Sequence, residues 1–133
     1  MRIKDKIDEL TLYLEQLEEI TPTSLKEYKT DITKKAACER FVEKIVESSV
    51  DIAFLIIKQK KMKIPEDDTD AFNILHDNKI LNKDLTDKLK KAKGMRNIIA
   101  HQYGKIDDEI IYNTINEELI NDIQEFIKAI EKL

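Results

Sequence analysis

The segment VDIAFLIIK (residues 50–58) contains the longest apolar run of the chain, from position 52 to position 57. It continues a stripe of side chains spaced three or four residues apart, which is the period of a helix face. This stripe runs through Ala37, Phe41, Ile45, Ser49, Ile52 and Ile56. A helix that is apolar nearly all round must be covered on several sides. The segment therefore predicts a long central helix over residues 31–61.

Upstream of this helix, the chain begins with a second amphipathic pattern. Apolar residues step by four, three, four and three positions through Ile3, Ile7, Leu10, Leu14 and Leu17, which predicts a helix over residues 2–20. The stretch TPTS (residues 21–24) stops it and supplies N-cap residues for a short turn at residues 25–28.

Downstream, IPEDD (residues 64–68) is the clearest break, and a short helix is expected over residues 70–77. Asn82 or Asp84 can cap the next helix, which reads LTDKLKKAKGMRNIIAHQ and should end near Gly104, a residue suited to the position after a helix. Asp107 or Asp108 then caps a last helix. Its inward residues are predicted to be Ile111, Ile115, Leu119, Ile123, Phe126 and Ile130.

These elements predict an all-α fold. The 133 residues contain only two glycines and two prolines, fewer than sandwiches and barrels need for their turns. We expect one domain over residues 1–133, built as an up-and-down bundle of four long helices with a short additional helix. The single cysteine, Cys38, excludes an internal disulfide and a cysteine-based zinc site, and is expected to be a small buried residue.

Charge is distributed unevenly along the chain. The net charge is −4, which argues against a protein that coats nucleic acid over its whole surface. Residues 79–105 nevertheless hold eight basic and two acidic residues, whereas residues 106–133 hold eight acidic and two basic ones. The basic segment can attract a polyanion, or its cations can pair with acids of the last helix; both interpretations remain open. Without a signal peptide or an apolar run of membrane-spanning length, a cytoplasmic protein is expected.

The stretch RNIIAHQY (residues 96–103) combines residue types suited to phosphodiester chemistry. Arg96 offers a planar fork that matches phosphate oxygens, and His101 can move protons near neutral pH. Tyr103 can stack on a base or donate a hydrogen bond. On an unbroken helix Arg96 and His101 would point about 140° apart. We therefore expect the helix to fray or end between them, with His101 at its terminus.

This stretch resembles the RX4HXY signature of the HepT family, which belongs to the HEPN superfamily of nucleotide-binding and RNA-cleaving domains. The agreement extends to the first helix with LTLYLEQLEEI, the TPTSL turn and the long second helix ending in VDIAFLIIKQ. The resemblance implies the HEPN fold. It also implies a toxin of a prokaryotic type VII toxin–antitoxin system, acting as a metal-independent endoribonuclease on tRNA or mRNA.

The resemblance further implies a role for each residue of the motif. Arg96 and His101 would be the catalytic pair, and Asn97 would contact phosphate or orient Arg96. Tyr103 would contact RNA and receive AMP from an MntA-type nucleotidyltransferase antitoxin, which silences the toxin. Homodimers that bring two motifs together are expected, with no metal, cofactor, DNA or membrane involved. The alternative function is a non-catalytic HEPN partner, or substrate-binding subunit, of a minimal nucleotidyltransferase.

Other candidate residues carry less weight. His76 has no partner nearby in sequence and is expected to be structural or exposed. Asp51 interrupts the apolar run and could orient Arg96, although a solvated or salt-bridged role is favoured; Glu47 and Glu43 are placed below it. The three remaining tyrosines, at positions 13, 28 and 112, are expected to be packing residues.

Overall fold

The computed structural model describes residues 2–101 and 106–133. In these ranges the chain is helical, with no strand. The elements, in chain order, are α1 (Ile3–Ile20), α2 (Leu25–Thr30), α3 (Ile32–Gln59), α4 (Asp68–Asp77), α5 (Lys83–His101), α6 (Asp108–Thr114), a π-helical turn (Ile115–Leu119) and α7 (Ile120–Glu131). The all-α prediction is confirmed. There are two short helices, α2 and α4, rather than the one additional helix that was expected.

Helix α3 is the centre of the bundle, as its sequence predicts. It packs against α1, α2, α4 and α5, and its second half is buried almost all round. Asp31 caps its N-terminus by accepting a hydrogen bond from the amide of Lys34 at 3.0 Å. Helix α5 contacts α3, α4 and α7, and α7 returns beside α1. The four long elements therefore surround one continuous core.

Capping residues set the other helix boundaries. Ser24 caps α2, and Asp67 caps α4 by accepting from the amide of Asp70 at 2.8 Å. Because Asp67 is the cap, α4 begins two residues earlier than predicted. Asn82 accepts from the amide of Leu85 at 2.8 Å at the start of α5, and Asp107 caps α6. The caps are therefore Asn82 rather than Asp84, and Asp107 rather than Asp108.

The last long helix contains a π-helical turn between α6 and α7 that the sequence analysis missed. All six of its predicted inward residues are buried. The first four of them are spaced by four residues each time, so on a regular α-helix they would drift by about 40° per step. The π-helical turn holds one more residue per turn, and this extra residue keeps the stripe facing the core.

The aromatic residues join the ends of the bundle. Tyr28 and Tyr112 pack with ring centroids 5.4 Å apart, and the hydroxyl of Tyr112 donates to the carbonyl of Pro22 at 2.8 Å. Tyr13 is half-buried beside Phe41. These contacts confirm the three tyrosines as packing residues. Cys38 is fully buried, as predicted.

Two lysines end helices where glycine is more usual. Lys61 after α3 and Lys79 after α4 have φ values of 56° and 64°, in the left-handed region. Across the second of these turns, Nδ1 of His76 at the end of α4 lies 2.9 Å from the carbonyl of Leu81. This contact agrees with a structural role for the histidine. No helix in the described ranges combines the length and the apolar character needed to cross a membrane.

Candidate functional site

Residues 96–101 of the RNIIAHQY stretch form the C-terminal end of α5. The inward face of this helix is apolar and is formed by Leu85, Leu89, Ala92, Met95 and Ile99. The polar residues Arg96, Asn97 and His101 therefore lie on the flanks and the outer face. His101 is the last residue of α5. Tyr103 and Gly104, which were also singled out in the sequence, lie outside the described residues.

Arg96 is directed towards the central helix α3. Its side chain is only 19% exposed, and Nη2 lies 3.6 Å from Oε1 of Glu47. Nη1 donates a long hydrogen bond, 3.4 Å, to the side-chain oxygen of Asn97. Nε is buried and has no hydrogen-bond partner within the described residues. The guanidinium is thus held mainly by the charge of one carboxylate.

The acid beside Arg96 is Glu47, which the sequence analysis placed below Asp51. Asp51 instead lies 3.4 Å from Nζ of Lys6 on α1 and is exposed, so the favoured salt-bridged role is confirmed for it. The choice between two acids one helical turn apart depends on where α5 crosses α3. That crossing point is set by packing and has no signal in the sequence.

Asn97 lies between two cations. Its side-chain oxygen accepts from Nζ of Lys93 at 3.2 Å as well as from Arg96. Lys93 is itself 3.3 Å from Asp68 at the start of α4 and is 12% exposed. The amide is therefore oriented by neighbours on both sides, and its oxygen is in contact with Arg96.

His101 is exposed, and α5 is helical from Arg96 through to His101. The expectation that the helix ends between these two residues is wrong, although His101 does stand at the helix terminus. The buried contacts of Met95 and Ile99 keep this last part of α5 on the core. On an unbroken helix, five positions correspond to about 140° of rotation. The two side chains of one chain therefore point in different directions.

An apolar groove runs between α5 and the α6–α7 segment, next to the motif. Its volume is about 510 Å³. Ile98 and Ile110 project into it and are 38% and 60% exposed. Gly94 also lines it, and a Cβ at this position would meet no atom of another element within 4 Å in the described part of the chain. Lysines 88 and 91 border the groove on the α5 side, and Asp107, Glu118 and Asp122 on the other.

The cations of α5 do not pair extensively with the last helix. Within residues 2–101 and 106–133, the one ion pair between α5 and the acidic C-terminal segment joins Lys88 to Asp122 at 3.9 Å. Lys79, Lys90 and Lys91 form no ion pair in these ranges. These three lysines are therefore free to attract an anion. The described residues contain no group of three His, Cys, Asp or Glu side chains placed to hold a metal.

Comparisons with known proteins agree on one family. The family model "Ribonuclease HepT-like" matches residues 10–130. The mRNA nuclease HepT of Shewanella oneidensis is 30% identical over 79% of this chain and 78% of its own length. The tRNA nuclease HepT of Aphanizomenon flos-aquae is 25% identical over 86% of this chain and 78% of its own length.

A solved structure shares the whole fold. The tri-AMPylated Shewanella oneidensis HEPN toxin, solved in complex with MNT antitoxin, superposes with a TM-score of 0.92. The superposition covers 100% of both chains, at 26% identity. The motif on α5, the bundle around α3 and the match over residues 10–130 all lead to the same assignment. The chain belongs to the HepT-like ribonuclease family.

Proposed function

We propose that this chain is the toxin of a type VII toxin–antitoxin system, an endoribonuclease that cleaves RNA without a metal and is neutralised by an MntA-like nucleotidyltransferase. The observation that carries the proposal is the RX4HXY motif at the end of α5 in a chain of this family. The related nucleases are named for both mRNA and tRNA, so the substrate class proposed is RNA. We place the protein in the cytoplasm, where RNA and such a partner are found.

The proposed chemistry uses the ribose 2′-hydroxyl as an internal nucleophile. The 2′-oxygen attacks the adjacent phosphorus while the bond from phosphorus to the 5′-oxygen breaks. His101 accepts the proton of the 2′-hydroxyl and returns a proton to the 5′-oxygen. Arg96 stabilises the negative charge that develops on the phosphate oxygens. The products are a 2′,3′-cyclic phosphate and a free 5′-hydroxyl.

We propose that the working site is shared by two chains. Arg96 and His101 diverge on one helix, so a second motif is needed to place an arginine and a histidine on the same phosphate. The groove beside α5 suits a second copy, because its exposed Ile98 and Ile110 are bordered by lysines on one side and acids on the other. A two-fold axis would place each basic border against the acidic border of the other chain.

We propose Tyr103 as the site of AMP attachment and as an RNA contact. Its position in the HXY part of the motif supports the assignment, together with the AMPylated state of the similar toxin. Each AMP adds a phosphate charge and a bulky nucleoside close to His101. Such a group would repel an RNA phosphate and occupy its space.

The test is induced expression in a host that lacks the partner. The wild type should slow growth and degrade RNA, and Arg96→Ala or His101→Ala should each reduce cleavage on the order of 1,000-fold or more, as loss of a catalytic group does. Lys29→Ala, an exposed position on α2, is the matched control and should leave toxicity intact. Cleavage by the purified protein should persist in excess EDTA.

Co-expression with an MntA-like enzyme and ATP should add AMP to Tyr103, as read by mass spectrometry, and restore growth. A harmless wild type that cleaves no RNA but still forms a stable complex with the nucleotidyltransferase would contradict the nuclease assignment. That result would establish the alternative, a non-catalytic HEPN partner.

A further inference from the structure

Helix α3 presents three charged residues to the motif side of α5. Arg40, Glu43 and Glu47 are spaced by three and four positions and therefore share one face of the helix. Nη1 of Arg40 lies 3.8 Å from Glu43 and 3.8 Å from Oε2 of Glu47. The other oxygen of Glu47, Oε1, lies 3.6 Å from Nη2 of Arg96. One carboxylate thus stands between two arginines of different helices.

The Glu47 carboxylate offsets the cost of removing the Arg96 guanidinium from water. The Arg96 side chain is 19% exposed, and a guanidinium with so little access to water is costly unless an opposite charge is near. Within the described residues, Glu47 is the acid in contact with it. Arg96 is a flexible side chain with several rotatable bonds, so the carboxylate also selects one of its conformations.

The contact leaves the guanidinium able to bind a further anion. Arginine has five N–H donors, and in the described part of the chain one Arg96 hydrogen bond is present, from Nη1 to Asn97 at 3.4 Å. The separation of 3.6 Å from Glu47 is an ion pair without a short hydrogen bond. The arginine is therefore oriented without its donors being saturated.

We propose that Glu47 is a positioning residue, which holds the Arg96 guanidinium in the orientation that receives the RNA phosphate. Arg40 acts from the other side, because its charge draws the Glu47 carboxylate into place. The inference rests on the proposed nuclease function for its effect on catalysis. Its geometric part, the restraint of Arg96 by Glu47, does not depend on that function.

The test compares Glu47→Ala and Glu47→Gln with Asp51→Ala. Asp51 lies one turn further along α3, is exposed and pairs with Lys6, so it is a matched acid with no contact to Arg96. Glu47→Ala should lower kcat on the order of 10- to 100-fold while changing KM much less, because a misplaced arginine loses mainly transition-state contacts. Glu47→Gln should recover part of kcat, since its amide oxygen keeps a partial negative charge beside Nη2. Asp51→Ala should behave as the wild type.

A double-mutant cycle separates positioning from general damage. In an Arg96→Ala background, Glu47→Ala should cause no further loss of kcat, because its effect passes through the missing arginine. Additive losses in the double variant, or a rise of kcat in Glu47→Ala, would overturn the proposal. The second outcome would mean that Glu47 competes with RNA for Arg96.

Nitrogen-15 NMR of the Arg96 side chain tests the restraint without any need for activity. Restricted rotation about the Nε–Cζ bond should give separate Nη signals in the wild type and in Asp51→Ala, and averaged signals in Glu47→Ala. If Glu47→Ala leaves the wild-type pattern unchanged, the inference fails. A wild type that restrains Arg96 but cleaves no RNA contradicts the proposed function alone.

Discussion

The carboxyl group of Glu39 on α3 is costly to ionise in the folded protein. Burial raises its pKa above the ordinary glutamate value, the nearby cation Lys35 opposes this, and the charges of Asp108 and Glu43 add to it. One of its oxygens, Oε2, is buried and accepts no hydrogen bond within the described residues. Lys35 is engaged by Asp108 at 2.9 Å, so it neutralises Glu39 only in part.

Glu39→Gln is predicted to change how the stability of the protein depends on pH. A carboxyl whose pKa is raised on folding binds more protons in the folded state, so its contribution to the free energy of unfolding falls as pH rises above the unfolded value near 4.5. Where the carboxyl is ionised, the folded protein carries the cost of its burial. Glu39→Gln should therefore stabilise the protein at pH 7 by about 1 kcal/mol, and the gain should vanish below pH 4.

Thermal unfolding followed by circular dichroism across this pH range measures the effect. The control is Glu131→Gln, an exposed position near the C-terminus of α7, which should change the melting temperature little at any pH. A Glu39→Gln variant that is less stable than the wild type at pH 7 would show that the carboxylate has a favourable partner.

Residue types could be predicted well from the sequence, but residue contacts could not. Arg96, Asn97 and His101 were found because their chemical types and spacing form a motif. Glu47 was placed with Glu43 below Asp51, because the face of α3 that meets α5 cannot be identified on a helix that is apolar nearly all round. The expectation that α5 ends between Arg96 and His101 was also wrong, because the sequence does not reveal how far a helix persists.

At the scale of elements, helix boundaries follow from local signals. Ser24, Asn82 and Asp107 cap helices as expected, because a side-chain oxygen at an N-cap acts within four residues of itself. Asp31 caps α3 in the same way, although it was not predicted as a cap. The π-helical turn was missed, although its signal is present: three successive steps of four positions between inward residues, from Ile111 to Ile123, exceed what a regular helix allows.

The second prediction is that the π-helical turn tolerates the loss of one residue. Deletion of Glu117, which is exposed, would convert the turn to a regular α-helix. The inward residues would then be spaced by four, three, four, three and four positions, the ordinary pattern of a helix face. The melting temperature should stay close to that of the wild type.

Deletion of Gln124, an equally exposed residue of α7, is the matched comparison. It lies where the helix is regular, so its loss would rotate Phe126 and Ile130 out of the core and cost about 3–5 kcal/mol. Equal destabilisation by the two deletions would contradict the account of the turn as one inserted residue. Thermal unfolding of both variants decides the question.

At the scale of the whole molecule, the divergence of Arg96 and His101 predicts how inactive chains complement one another. If each site takes its arginine from one chain and its histidine from the other, a dimer of Arg96→Ala and His101→Ala chains keeps one complete site. If each site lies within one chain, the same mixed dimer has none. Only the shared arrangement therefore gives the mixed dimer an activity that neither variant has alone.

The third prediction is that mixing restores activity. Purified mixed dimers, isolated with two different affinity tags, should cleave RNA at about half the wild-type rate per dimer, since one of two symmetric sites is intact. Each variant alone should remain inactive. A control dimer of two Arg96→Ala chains that carry the two different tags should be inactive as well. Mixed dimers without activity would indicate that each chain carries its own site.

Gly94 affects both the stability of helix α5 and the shape of the groove proposed for a second copy. A glycine inside a helix weakens that helix by about 1 kcal/mol relative to alanine. Within the described residues, nothing outside the backbone of α5 itself stands in the way of a methyl group at this position. The backbone of α5 is consequently bare where it faces the groove. Alanine at position 94 would strengthen each separate chain while thickening the surface that a second copy approaches in the proposed dimer, so one methyl group would tune folding and pairing in opposite directions.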